Sequence, residues 1–165
     1  FLERLQKPWN GKVIIRGTEV DSAWIKLGGD DNLAAEALPT SLPDVTIKEK
    51  MRMEPTSVAN LSARMSNEKF VAFMAVPGGS CPQSVKENRT KMQNSFVKYL
   101  MSKSVAGIAH IQHAPDAPRY TTYIFPPGQF SDNFMNGNTP DLLSAIRLKT
   151  FQYLFVVVLP PAAVP

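Results

Sequence analysis

The clearest alternation of apolar and polar residues runs from Val45 to Met53. Val45, Ile47, Met51 and Met53 share one parity, broken only by Glu49, while Thr46, Lys48, Lys50 and Arg52 share the other. Side chains of a strand alternate between its faces. The segment therefore predicts a strand with one face in a core and the other carrying three cations, with Glu49 near an edge. Trp9–Arg16 predicts a first strand and Asp21–Leu27 its hairpin partner, turning at Gly17. Phe70–Val76, Val105–Ile111, Tyr120–Phe125 and Phe151–Leu159 read as further strands, and the continuous apolar run of Phe70–Val76 suits a central one.

Between these segments the period changes to that of helices. Asn32–Leu38 suits a short helical turn after the Gly28-Gly29-Asp30-Asp31 loop, and Pro39 and Pro43 bracket a linker. Pro55 closes the cationic strand; Thr56 or Ser57 can cap a helix reaching Met65, with Val58, Leu61 and Met65 as its buried stripe. Pro82 opens the longest predicted helix, to Lys103, with Met92, Phe96 and Leu100 along one face. Thr139-Pro140-Asp141 starts another, with Leu142, Leu143 and Ile146 facing inward. Phe130 and Phe134, after the Pro126-Pro127-Gly128 turn, suit burial in the core or an apolar interaction surface.

The expected fold class is thus α+β: about seven strands in a curved, mostly antiparallel sheet or small barrel, with three or four flanking helices. The order of elements lacks the regular alternation of a doubly wound sheet. At 165 residues the chain suits one domain. Residues 1–8 read as an N-terminal extension, 9–159 as the domain and 160–165, rich in proline, as a tail or linker. No apolar run approaches the roughly 20 residues that span a bilayer, and a monomer is expected.

Composition narrows the chemistry further. One cysteine, Cys81, excludes an intrachain disulfide and fits a reducing compartment. Cys81 has no histidine placed beside it by any motif, so it does not read as a nucleophile. His110 and His113, three apart on a strand or loop, lack the companions of a zinc site. Gly28-Gly29 and Gly78-Gly79 lack phosphate-loop spacing. Asn60-Leu61-Ser62 and Asn88-Arg89-Thr90 match the glycosylation triplet but fall inside predicted helices. No catalytic residue, metal ligand or cofactor site is assigned, and the chain is not expected to be an enzyme.

The net charge is +4, which favours acidic partners. Lys48, Lys50 and Arg52 project from one strand face; Tyr99 and Lys103 are helical neighbours four apart; Arg16 can face outward from the first strand. Charge-assisted donors beside a hydroxyl suit a phosphate. The same cations would also serve simply to keep a surface wet, and spacing alone leaves both open.

The chain resembles a SPOC domain, the C-terminal module of the Spen family. The likeness is carried by Trp9-Asn10-Gly11, Lys50-Met51-Arg52-Met53, Leu61-Ser62-Ala63-Arg64-Met65 and Phe96-Val97-Lys98-Tyr99-Leu100 with Lys103, then Ala106-Gly107-Ile108. It continues in Tyr123-Ile124-Phe125-Pro126-Pro127 and Pro140-Asp141-Leu142-Leu143. The resemblance implies a distorted, mostly antiparallel β-barrel of about seven strands with three or four flanking helices, a nuclear setting, and non-catalytic binding of serine-phosphorylated acidic tails, of a corepressor or of RNA polymerase II. It places phosphate contacts on Lys50, Arg52, Tyr99 and Lys103, with Arg16 matching a further basic position. Thr46 and Lys50 stand where the closest members of the family carry arginines. Lysine meets phosphate as a point charge, not as a planar fork, and Lys48 is the candidate compensation. The competing expectation is RNA or other nucleic acid, single-stranded RNA for example, held by the same patch.

Overall fold

The computed structural model describes residues 7–149 and 153–161. Its strands are β1 (Trp9–Ile15), β2 (Thr18–Gly29), β3 (Asp44–Ile47), β4 (Glu49–Arg52), β5 (Val71–Pro77), β6 (Val105–Ile111), β7 (Tyr120–Phe125) and β8 (Leu154–Leu159). The helices are α1 (Asp31–Ala37), α2 (Pro55–Asn67), α3 (Pro82–Lys91), α4 (Lys98–Lys103), α5 (Gln129–Asn138) and α6 (Pro140–Lys149). A π-helical stretch, Met92–Val97, joins α3 to α4 in one continuous rod.

All eight strands form one sheet in the order β3-β1-β2-β5-β8-β7-β6-β4. Among the described residues every strand pairing is antiparallel except that of β1 with β3. The two end strands, β3 and β4, are consecutive in the chain, so the sheet curls until its ends nearly meet. This is the α+β barrel that the resemblance implies, and one of the two forms that the periodicity allows, with one more strand. The extra strand arises because Val45–Met53 is not one strand: β3 pairs with β1, the chain bends at Lys48, and β4 pairs with β6. At the bend Ile47 lies over Gly107, where a Cβ would stand 2.8 Å from the Ile47 Cγ2. Only glycine lets the two ends of the sheet approach this closely.

Alternation sorts the core into two layers. Inside the curl Trp9, Val13, Trp24, Phe73 and Val156 pack with Leu33 of α1 and with Met92, Phe96 and Leu100 of the long rod. On the outer face Ile25, Met74, Phe155 and Val157 pack with Leu61, Met135, Leu142, Leu143 and Ile146 from α2, α5 and α6. β8 is buried at every position and β5 at all but its last, which explains their continuous apolar sequences.

Other boundaries differ from expectation for local reasons. The first strand stops at Ile15, since Arg16 and Gly17 form the hairpin turn itself. β2 runs on through Gly28 and Gly29, absorbing them with a bulge between Lys26 and Gly28. Pro55 opens α2 as its first residue, with Glu54 before it, so neither Thr56 nor Ser57 is the cap. The helix α5 escapes the periodicity because only Met135 and Ser131 in it are buried. The last strand begins at Leu154; residues 151 and 152 lie outside the described residues, as do residues 1–6 of the extension and 162–165 of the tail. Asn88, part of a glycosylation triplet, is buried: its side chain donates to the Gly78 carbonyl (2.8 Å) and accepts from the Asp21 amide (3.2 Å), pinning α3 to the sheet.

Candidate functional site

Three elements distant in sequence deliver cations to one aromatic ring. The first is the β1–β2 hairpin, whose two central residues, Arg16 and Gly17, have φ of +51° and +81°. Positive φ at both positions is the geometry that matches the twist of a tight hairpin. Gly17 adopts it freely, whereas Arg16 is a non-glycine residue held in the left-handed region. The turn projects its guanidinium over Tyr99, with Cζ 4.6 Å from the ring centroid.

The second element is the rod. Phe96 and Leu100 are fully buried on either side of Tyr99, so they orient that turn; Tyr99 itself is half-buried against the inner core. An α-helix advances about 100° per residue, so the π stretch just before Tyr99 resets the phase of all that follows. Lys103 follows Tyr99 by four residues, in the last turn. Ser104 then ends the helix in a left-handed conformation, and its carbonyl accepts from the Met53 amide at 2.8 Å. That bond ties the end of α4 to β4.

The third element is β4. Lys50 extends its ammonium over Tyr99, 4.9 Å from the centroid, and donates a hydrogen bond to the phenolic oxygen. Arg52 lies two residues along the same face of β4; it is widely exposed and forms a loose ion pair with Glu54 at 3.9 Å. The structure therefore brings Arg16, Lys50, Tyr99 and Lys103 together and sets Arg52 beside them. Lys48, exposed at the bend, makes no side-chain hydrogen bond or ion pair among the described residues.

The electrostatic consequence is legible at the phenol. The hydrogen bond from Lys50, and then the charges of Lys50, Arg16 and Lys103, outweigh the opposing effect of burial and hold Tyr99 below the ordinary tyrosine range. A bound anion would cancel part of that field. Saturating the site with an anion such as inorganic phosphate is therefore expected to raise the Tyr99 pKa, and Lys50→Ala to raise it without any ligand. NMR titration of ring-labelled tyrosine measures both shifts; a Tyr99 pKa unmoved by either would mean that these charges do not act on the ring.

A polar groove of about 520 Å³ continues the site along the rod, lined by Arg16, Thr18, Asn94, Ser95, Lys98 and Ser102 beside Tyr99. Sequence reasoning missed Ser95, Lys98 and Ser102, although Ser95 and Ser102 lie four before and three after Tyr99, on its helical face. A larger groove of about 750 Å³ lies between α2 and α5 on the outer face. Its lining includes Met53, Val58, Met65, Phe70, Phe130 and Phe134, and no charged residue. Phe130 and Phe134 are thus half-buried, packed on the outer core and lining this groove.

The residues weighed for catalysis have other neighbours. Cys81 is exposed at the start of α3, and its thiol is drawn down by hydrogen bonds involving Ser84. His110 stands 3.6 Å from Glu49, and His113 meets the Glu36 carbonyl at 2.9 Å. No cluster of three or more potential metal ligands occurs among the described residues.

The SPOC domain family model matches residues 1–161. The chain belongs to the SPOC domain family. It is 30% identical to the human Msx2-interacting protein over 153 residues, covering 88% of this chain, and 26% identical to Protein split ends of Drosophila melanogaster over 164 residues. It spans only 4% and 3% of the length of those relatives. The crystal structure of the SPOC domain of human PHD-finger protein 3 superposes with a TM-score of 0.61, covering 97% of this chain and all of that one. At 11% identity this likeness shows the shared fold alone. The SPOC resemblance read from the sequence is therefore confirmed, as is its barrel.

Proposed function

We propose that this SPOC domain binds serine-phosphorylated acidic peptides and acts in the nucleus to recruit transcriptional corepressors or RNA polymerase II machinery, without catalysing a reaction. One observation carries the reading: Arg16, Lys50 and Lys103 converge on Tyr99 from three elements, and none of the three forms an ion pair with a carboxylate among the described residues. Like charges held together without counterions raise the energy of the folded state, and an anionic ligand relieves that repulsion. Phosphoserine supplies about two negative charges at pH 7 and three acceptor oxygens. Arg16 and Arg52 suit bidentate contact with it, Lys50, Lys103 and Lys48 suit point-charge contact, and the Tyr99 hydroxyl suits orientation. Interaction with protein also agrees with the names of relatives, one of them the Msx2-interacting protein.

The competing reading, single-stranded nucleic acid on the same patch, needs an aromatic face on which bases stack. Tyr99 is the only aromatic among the assembled residues, and its ring already carries Arg16 and Lys50. Fluorescence anisotropy with an acidic serine peptide, phosphorylated and unphosphorylated, and with a single-stranded RNA decides between the two. Binding of the phosphorylated form at least tenfold tighter than the unphosphorylated one is expected, weakening as salt is raised. Equal affinity for both peptides, or tight binding of RNA alone, would reject the assignment.

A further inference from the structure

We infer that the ligand peptide pairs through its main chain with the free edge of β4, adding a strand to the barrel at the place where its two ends fail to close. The inference rests on the phosphopeptide reading above and specifies how the peptide is held.

β4 ends the sheet and pairs only with β6 among the described residues. The pattern of hydrogen bonds tells which of its residues face outward. Met53, next after β4, donates its amide to the carbonyl of Ser104, its continuation in the β4–β6 register. In an antiparallel ladder alternate residues turn their N–H and C=O groups to opposite sides. Glu49 and Met51 therefore turn theirs toward β6, and Lys50 and Arg52 turn theirs toward the open side. At the other end of the sheet β3 pairs with β1, and the Ile47 side chain lies against Gly107 of β6.

The opening has a definite place. β1 and β3 run side by side until Ile15 pairs with Ile47; β1 then turns back at Arg16 while the chain goes on into β4. Past this point β4 has lost its neighbour on that side. Side chains of Arg16 and Lys50 reach across from the two sides and lie over Tyr99. Extended peptides are commonly bound by strand addition to such an edge.

Charge selects the occupant. Lysine and arginine on an edge strand discourage pairing with neutral chains, and this edge carries Lys50 and Arg52, with Lys48 at the bend before it, its amide bonded to the Ile108 carbonyl at 3.0 Å, and Arg16 and Lys103 close by. An acidic extended segment turns that guard into attraction. The two residues whose side chains would meet its phosphate are the same two whose backbone groups are turned outward. Main-chain pairing fixes the register of the peptide, and the side chains read its charge.

The test uses an acidic peptide bearing one phosphoserine, and a set of the same peptide with a single backbone amide N-methylated at each position in turn. Strand addition predicts a period of two: N-methylation at alternate positions near the phosphoserine weakens binding about tenfold, and at the intervening positions it has little effect. Amide hydrogen exchange at Lys50 and Arg52 slows when the unmodified peptide binds. Phosphate-dependent binding with a flat N-methyl profile would overturn strand addition and leave the phosphate reading intact. Binding indifferent to the phosphate would overturn the phosphate reading itself, and this inference with it.

Discussion

Lys103→Glu is expected to weaken phosphopeptide binding about a hundredfold while leaving the fold intact. Losing one charge-assisted contact costs roughly 1.5 to 3 kcal/mol, or about ten- to a hundredfold in affinity. Reversing the charge adds repulsion to the phosphate and places the effect at the upper end. Stability should change by less than about 1 kcal/mol, because two small effects oppose each other. A glutamate in the last turn of α4 is unfavourable to the helix dipole by about 0.3 to 1 kcal/mol. It also relieves the repulsion that Lys103 shares with Arg16 and Lys50 around Tyr99. Lys103→Arg should retain binding. Anisotropy titration and thermal melting of the same samples separate the two quantities. Unchanged affinity in Lys103→Glu would remove this residue from the site; lost affinity with a collapsed melting point would make its role structural.

The second large effect concerns the floor of the site. Phe96→Ala should destabilise the domain by roughly 3 to 5 kcal/mol, a large share of the 5 to 15 kcal/mol that a domain of this kind possesses. Phe96 is fully buried in the inner core, within the π stretch that sets the phase of Tyr99. Emptying its place removes apolar contact and leaves a cavity directly beneath the turn that carries the ring. Phe96→Leu, closer in volume, should cost less. Urea denaturation gives the stability of both, and a loss below about 1 kcal/mol for Phe96→Ala would show that the rod does not depend on this contact. Phosphopeptide affinity of the folded fraction should fall as well, since Arg16 and Lys50 are arranged on Tyr99 and not on one another.

Much of the architecture was legible in the chain because burial follows the period of each element. Phe70–Val76 and the apolar run to Leu159 announced the two central strands, and Met92, Phe96 and Leu100 the inward face of the rod. All three of those rod residues are fully buried. The helix α5 was not legible, since half-buried Phe130 and Phe134 beside a single buried Met135 make a weak stripe. Nor was the π stretch, because one extra residue per turn leaves a four-residue repeat almost unaltered.

The candidate site divides in the same way. The single core face expected of Val45–Met53 does not hold: Val45 and Ile47 pack in the inner layer and Met51 and Met53 against the outer one, so the faces exchange at Lys48. Alternation was nevertheless enough to expose Lys48, Lys50 and Arg52, and helical spacing was enough to put Tyr99 and Lys103 on one face. These are local properties: each depends on a handful of neighbours and on whether apolar surface leaves water. The break at Lys48 was beyond local reach, since one alternating pattern suits a single strand and equally two short ones assigned to opposite ends of a sheet. Only closure of the barrel decides between them, through the approach of Ile47 to Gly107. The meeting of Arg16 with Tyr99, 83 residues apart in the chain, is likewise a product of register, twist and the hairpin turn. The sequence by itself determined which side chains are buried and which cations are exposed. The tertiary structure alone decided that Arg16 and Lys50 share one ring with Lys103 close by, and that β4, at the edge of the sheet among the described residues, lies beside them, because distances between elements are set by how the whole sheet curls.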